Sequence, residues 1–335
     1  MWRPAYLVYL AYYIEKTNYR KLIASMRWVH EHQGMRYAAL AGDVLACSCK
    51  YATSFEDYFK FRFATLESTE RSTYAGTGIM HRFTNQQNDS RYRQIFCSKA
   101  LFYKHFGQLM GRQCIYLREI TPEGFADWVS ERPIVVAKPC FGARGMGIEF
   151  VDTVKLKPEE LYAALLRNGQ DVLEEPIRQH EALQRLNPSC VNTIRVVTVC
   201  TGSQVDIIGT DLKLGMGGKL VDNIHAGGIA APIDPDTGVV VRPATSSAVW
   251  SPRYEFHPDT KEAILGFQMP FWSLVLELAR YAAGVVPEVR KVGWDIAVTD
   301  TAAILVEGND NWGGQLWQFS PGKGCIDVLR RYVNV

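Results

Sequence analysis

The chain has 335 residues, 47% of them hydrophobic, with 37 Lys plus Arg against 35 Asp plus Glu. That length exceeds a usual single core and predicts two or three packed lobes, while the near balance of charge removes any broad electrostatic reason to expect nucleic acid and favours small-molecule partners. The cysteines at 47, 49, 97, 114, 140, 190, 200 and 325 form no C-x-x-C pair and no zinc spacing, so they read as reduced, mostly buried thiols of a cytoplasmic protein.

The apolar run from Ala5 to Ile14 ends at Glu15 and Lys16 without a small-residue cleavage site and is too short to span a bilayer. Residues 4–33 carry Leu, Tyr, Ile and Trp at helical spacing and run into Gly34, which predicts a helical lead segment. Ser54-Phe55-Glu56-Asp57 has the form of a capping box opening a Phe- and Tyr-rich helix. A polar stretch follows to about Gly78, and residues 82–94, rich in Asn, Gln and Arg, read as a loop at a domain edge. Ser98 then caps a helix through Met110, and Thr121-Pro122 starts another.

Next come an apolar strand at 133–138 ending in Lys138, a loop with Gly142, Gly145 and Gly147, and a strand at 148–152. A helix from Pro158 to Gly169 and a strand at 171–175 complete a β-loop-β-α-β lobe. Glycines let backbone N–H groups approach phosphate oxygens, and Lys138 and Arg144 supply cationic charge, so the loop is a candidate phosphate cover. No Gly-Lys-Ser/Thr closes it, which excludes a Walker loop, and no Gly-x-Gly-x-x-Gly opens a Rossmann helix.

Beyond this lobe, Thr193–Cys200 and Gln204–Lys213 flank Thr201-Gly202-Ser203 as a hairpin, followed by a glycine-rich loop at 215–228. A helix from Pro270 to Ala283 carries a buried stripe, and a second hairpin turns at Asp300-Thr301. Side chains alternate along strands, so Glu307 and Asn309 share one face, and Asp295 on the partner strand points away from Trp294, Ile296 and Val298. Three oxygen donors thus converge across one antiparallel pair, without histidine or thiolate, a set suited to Mg²⁺.

Taken in order, Lys99, Lys138 with its glycine-rich loop, Glu174-Glu175-Pro176-Ile177, Glu181, Lys213, Asp295 and Glu307-x-Asn309 resemble the nucleotide and metal set of the ATP-grasp superfamily, from about residue 96 to 315. Asn192-Thr193-Ile194-Arg195, Asp222-Asn223-Ile224-His225-Ala226-Gly227-Gly228, Gly293-Trp294-Asp295, Phe61-x-Phe63 and Glu70-Arg71-Ser72-Thr73-Tyr74 look most like its sugar-transfer-associated group. The Asn-x-His-x-Gly-Gly phrase is also similar to one in glutamate-adding peptide ligases.

This resemblance implies an α+β fold in which two α/β lobes clasp ATP behind a helical N-terminal region. The expected divisions are 1–95 for the helices, 96–177 for the small lobe with the glycine-rich loop, and 178–335 for the large lobe with the Mg²⁺ site. It implies that Lys99, Lys138 and the loop residues Gly142, Arg144, Gly145 and Gly147 meet ATP phosphates. The backbone from Glu174 through Glu175 to Ile177 would read the adenine edge, and Glu181 would take the ribose hydroxyls. Asp295, Glu307 and Asn309 would hold Mg²⁺, while Arg195, Lys213 and Asn223 would face the γ-phosphate and the acyl group. Two departures stand out: the D-alanine ligase branch carries an arginine two places before the first metal aspartate, where this chain has Gly293, and Ser98 stands where that branch often has an acidic residue.

The implied activity is a carboxylate-amine ligase working through an acyl phosphate on small-molecule acid and amine substrates. The alternatives are a kinase on the same fold acting on a sugar hydroxyl and a nucleotide-binding scaffold without turnover.

Overall fold

The computed structural model describes residues 4–142, 145–248 and 250–333, with side chains from residue 9 onward. The lead segment is two helices, α1 (Pro4–Lys16) and α2 (Tyr19–Gln33), because the Asn18 side chain accepts the Lys21 amide and caps a new start. Gly34, at φ 69°, ends α2 as its residue type predicts. A third helix not expected from the sequence, α3 (Tyr37–Tyr51), buries Leu40, Val44 and Cys47. The Ser54 capping box is present at α4 (Phe55–Lys60), with the Ser54 side chain on the Asp57 amide and Asp57 on the Ser54 amide.

After α5 (Ser68–Arg71), α6 (Thr77–Gln87) runs into the first half of the segment 82–94 read as a loop. His81, Asn85 and Gln86 face solvent, while Ile79, Met80 and Phe83 pack against Val197, Val199 and Trp317. Polar composition misled because one buried stripe is enough to hold a helix. The short α7 (Gln94–Cys97) leads into α8 (Lys99–Phe106), capped by Ser98, and a 3-10 turn carries the chain on to Leu109.

The first sheet contains β1 (Cys114–Tyr116), β2 (Ile134–Lys138), β3 (Glu149–Asp152) and β4 (Val172–Glu174) in the order β1-β4-β2-β3, all antiparallel. β1, too short to show periodicity, was not expected. Helices α9 (Pro122–Ser130) and α10 (Pro158–Arg167) cover one face, where Phe125, Val129, Leu161 and Leu165 meet Val135, Ala137 and Leu173. The other face carries Lys138, Val136 and Glu174.

After α11 (Glu181–Leu186) comes the second sheet, of β5 (Ile194–Thr201), β6 (Gln204–Leu214), β7 (Ile229–Pro232), β8 (Lys291–Val298) and β9 (Ala303–Asn309) in the antiparallel order β7-β6-β5-β8-β9. Its back face, with Ile194, Val196, Trp294 and Ile296, packs on α12 (Trp272–Ala283) and on Phe102 and Phe106 of α8. The N-terminal helices reach the opposite side, where Phe61, Phe63 and Tyr74 share a core with Ile224, Ala230 and Phe319. Phe319 belongs to α13 (Gly314–Phe319), and α14 (Ile326–Leu329) follows it. All eight cysteines are unpaired, seven of them buried. Among the described residues no helix is long and apolar enough to cross a membrane.

Candidate active site

Register in the second sheet builds a row of charge. Asp211 on β6 stands opposite Arg195 on β5, Arg195 opposite Asp295 on β8, and Asp295 opposite Glu307 on β9. Directly paired residues point to one face, so four side chains that are distant in sequence share one strip of surface. Arg195 grips Asp295 with two nitrogens, Nε to Oδ1 at 2.6 Å and Nη2 to Oδ2 at 3.0 Å. Lys213 Nζ reaches Asp295 Oδ2 at 3.1 Å and Asp222 at 3.4 Å.

Burial alone would raise the Asp295 carboxyl, but Arg195 and Lys213 overturn that and hold it well below the usual carboxylate range. Glu307 behaves the opposite way: protein packed around it and the neighbouring Asp295 push its carboxyl up, although the residue stays open to solvent on one side. Asn309 donates from Nδ2 to Glu307 Oε1 at 3.2 Å and to Asp295 Oδ2 at 3.4 Å.

This donor set fits Mg²⁺. Two carboxylates crowd each other until one is driven toward its protonated form, a repulsion that a hard cation relieves. Asn309 turns its N–H toward both here, and rotation of the amide presents its oxygen instead. Among the described residues no group of three or more His, Cys, Asp or Glu side chains forms a metal cage, so water and phosphate oxygens would complete the coordination.

The phrase Asn192-Thr193-Ile194-Arg195 acquires a physical reading. Asn192, fully buried, is held by Gln179 Oε1 and by the Leu183 and Asn187 carbonyls. Thr193 donates backbone and side chain to Asp222, and Arg195 holds Asp295. Asp222, buried under Lys213, was not assigned a role from sequence. Asn223 caps the short turn after it by accepting the His225 amide at 2.8 Å, and among the described residues no hydrogen bond joins its side chain to the Asp295 cluster.

Gly293 explains its own departure from the D-alanine ligase pattern. A Cβ there would sit 2.9 Å from Trp312 Cβ and 3.2 Å from Arg195 Cδ. The space that a side chain at 293 would need is filled by Trp312 and by the arginine from the next strand.

Across the cleft, Lys138 Nζ lies 2.8 Å from Glu174 Oε2, and Arg112 Nε lies 2.9 Å from the same oxygen. Burial raises Glu174, but the two cations pull it down to about 2. Glu174 is therefore a fixed counter-charge that positions Lys138. Glu175 points elsewhere, to Arg132 and the Gln113 amide, and its own N–H is taken by Gln113 O. Lys99 is placed by the bridge Ser98↔Phe141 and sits with Nζ 3.2 Å from Gly142 O. Its amine is lowered by burial, raised by Glu307 and lowered by Lys138, so charges of both sheets act on it.

In the glycine-rich loop, Gly145 (φ 72°) and Gly147 (φ 74°) are left-handed, and a Cβ at 145 would meet Val221 Cγ1 at 2.7 Å. The loop thus abuts the 215–228 loop at a place where only glycine fits. Arg144 lies outside the described residues. Ile177 and Glu181 line one hollow of about 450 Å³ with Pro176, Gln179 and Asp300. Glu181 there pairs with Arg185 at 2.6 Å.

Sequence reading missed Arg112, for which no signal existed, and the apolar wall of Ile134, Val136 and Phe150. Val136↔Phe150 and Val136↔Glu174 pairing puts that wall on the Lys138 face, with Ile134 52% and Phe150 54% exposed. The exposed aromatic at the parity of Lys138 was legible, had register been known. Asp211 was missed too: it is 2% exposed, and Oδ1 has no hydrogen-bond partner among the described residues.

Burial pushes the Asp211 carboxyl up to about 7. The folded state therefore holds a proton that the unfolded chain releases near pH 4, so the stability associated with Asp211 falls as pH rises from about 4 to about 7 and is level above that. Asp211→Asn should accordingly raise the melting temperature by several degrees at pH 8, with the gain vanishing below about pH 4. A gain independent of pH would refute the buried carboxyl as its cause.

The sequence profile described as sugar-transfer associated ATP-grasp matches residues 79–334. Among curated proteins no sequence relative matches. Solved structures similar to the chain include the ATP-grasp ligase PsnB complexed with minimal precursor, at 14% identity and TM-score 0.43, covering 81% of this chain and 74% of that one. D-alanine–D-alanine ligase from Bacillus anthracis is similar at 11% identity and TM-score 0.40, covering 76% and 77%.

Proposed function

The chain belongs to the sugar-transfer-associated ATP-grasp family, whose profile covers most of its length, and from that premise we propose that it is an ATP-dependent carboxylate-amine ligase acting through an acyl phosphate. The observation that carries this reading is the cation pair Arg195 and Lys213, fixed on Asp295 beside Glu307.

ATP would lie between the lobes 96–177 and 178–335. In this reading Ile134, Val136 and Phe150 form an apolar wall for the base, Ile177 and Glu181 meet the nucleoside, and Lys138, Lys99 and the glycine-rich loop with Arg144 take the phosphates. Asp295, Glu307 and Asn309 would hold Mg²⁺, which would supply the positive charge that neutralises the phosphates.

A substrate carboxylate approaching the γ-phosphate brings negative charge to a strip that already holds a guanidinium and an ammonium in place. Burial would discharge Lys213, but Asp222 and Asp295 keep it protonated, and Asp295 does the same for Arg195. Both cations are therefore preorganised, and they pay no reorganisation when charge builds on the acyl phosphate. An amine then attacks the acyl carbon and releases phosphate, with the loop at Asn223 to Gly228 as the acyl-side wall. No covalent enzyme intermediate is required.

The test is product analysis: a panel of carboxylic acids with Mg-ATP and an amine should give acid-dependent release of ADP and phosphate. AMP and pyrophosphate would instead mark an adenylating enzyme and sink the proposal.

A further inference from the structure

The segments carrying Phe61-x-Phe63 and Glu70 to Tyr74 play no part in the nucleotide cleft, yet they converge with two others on an unclaimed cluster of arginines. Phe61 and Phe63 are buried, and Arg62 between them is turned outward at φ 57°, a left-handed conformation unusual for a residue with a side chain. Its Nη2 donates to Ser251 O at 3.3 Å, which sets Arg62 beside the segment holding Arg253. Arg253 precedes Tyr254, which exchanges two 2.8 Å backbone hydrogen bonds with Ala244, and Arg242 lies two residues before Ala244. An Arg253 nitrogen also lies 3.1 Å from where a Gly322 Cβ would stand, so a side chain there would obstruct the guanidinium.

All three arginines are solvent-exposed, and none forms an ion pair with a described residue. The Arg253 guanidinium is lowered by burial and then by Arg62 and Arg242, with Tyr74 acting the other way. Like charges gathered without an ion-pair partner among the described residues repel one another, an anion relieves that repulsion, and guanidinium forks match phosphate geometry.

The cluster is also separate from the ATP phosphates. The segment 244–254 joins the sheet through Ala230↔Thr245 at β7, the edge strand, three strands from Asp295 on β8. At about 4.8 Å per strand step that is roughly 14 Å or more.

We infer that Arg62, Arg242 and Arg253 form a second anion site that binds a phosphate group, either free phosphate or the phosphate ester of a sugar. It stands independently of the ligase reading.

Titration calorimetry on the full chain tests it with saturating Mg-ADP present, using inorganic phosphate and glucose 6-phosphate as probes and acetate and glucose as controls. Both phosphate probes should bind, and Arg62→Gln/Arg253→Gln should weaken them about tenfold or more while leaving Mg-ADP affinity unchanged. Tighter binding of glucose 6-phosphate than phosphate assigns the site to an ester, and equal binding assigns it to free phosphate. Arg242→Gln, at an exposed position, gives the same reading if the double variant does not fold. No heat with either phosphate probe, equal binding by acetate, or unchanged affinity in the variants would overturn the site.

Discussion

Glu307→Gln should abolish ATP turnover, lowering it by on the order of 10²–10³ or more, while the protein melts at the wild-type temperature or slightly above. The two halves of this expectation come from one fact. Glu307 faces Asp295 across the β8–β9 pair, and its carboxyl is pushed up because the fold disfavours a second negative charge there. At neutral pH the unfolded chain carries that charge freely, so the ionised group costs stability that a neutral amide of equal volume does not. The charge is retained at the expense of stability only if something bound there uses it, which is the Mg²⁺ reading. ADP release and the melting temperature measured on the same preparation decide it. Near-wild-type ADP release would remove Glu307 from the metal set, and a large loss of stability would show that its role is structural.

Arg195 should give the largest combined effect. Arg195→Ala leaves Asp295, 2% exposed, with Lys213 and the Asn309 amide as its remaining contacts among the described residues. Breaking a buried pair by removing one partner costs about 3–5 kcal/mol when the surviving charge is stranded, and the loss here should fall toward the lower end because Lys213 still pairs with Asp295. Removing both should cost far less, so Arg195→Ala/Asp295→Asn should melt well above the sum of the two single losses. Turnover will not return in the double variant, since both the cation and the metal carboxylate are gone.

Gly293→Ala probes the same arrangement more gently. Its methyl meets Trp312 Cβ at 2.9 Å and Arg195 Cδ at 3.2 Å, so the guanidinium must shift, with about 1–3 kcal/mol of overpacking strain and a fall in kcat. Full activity in Gly293→Ala would show that Arg195 tolerates displacement and is not a positioned catalytic cation.

How far the sequence foretold this molecule depends on whether a signal was local. Capping boxes, αL glycines and hairpins act over a few residues, so α4, the end of α2 and both hairpins of the large sheet stand where residue chemistry put them. Glu307 and Asn309 were placed together by strand periodicity alone, and Asp295 followed once the hairpin was assumed. The rest depended on register between distant strands. That Arg195 pairs between Asp211 and Asp295, that Trp312 and Arg195 fill the space beside Gly293, and that Glu174, held by Arg112, anchors Lys138 are facts of tertiary pairing with no local signature. The segment 82–94 failed for a different reason, since average polarity hid the stripe of Met80 and Phe83 against the sheet. Asn223 has a second role that its phrase did not announce, since its Oδ1 caps the loop.

An acyl phosphate can be trapped directly. With Mg-ATP, hydroxylamine and a panel of amino acids, uronic acids and short peptides, the ligase account predicts a hydroxamate of the true acid formed one for one with ADP. A stable phosphorylated sugar, with no hydroxamate from any acid, would contradict it and assign the fold to a kinase.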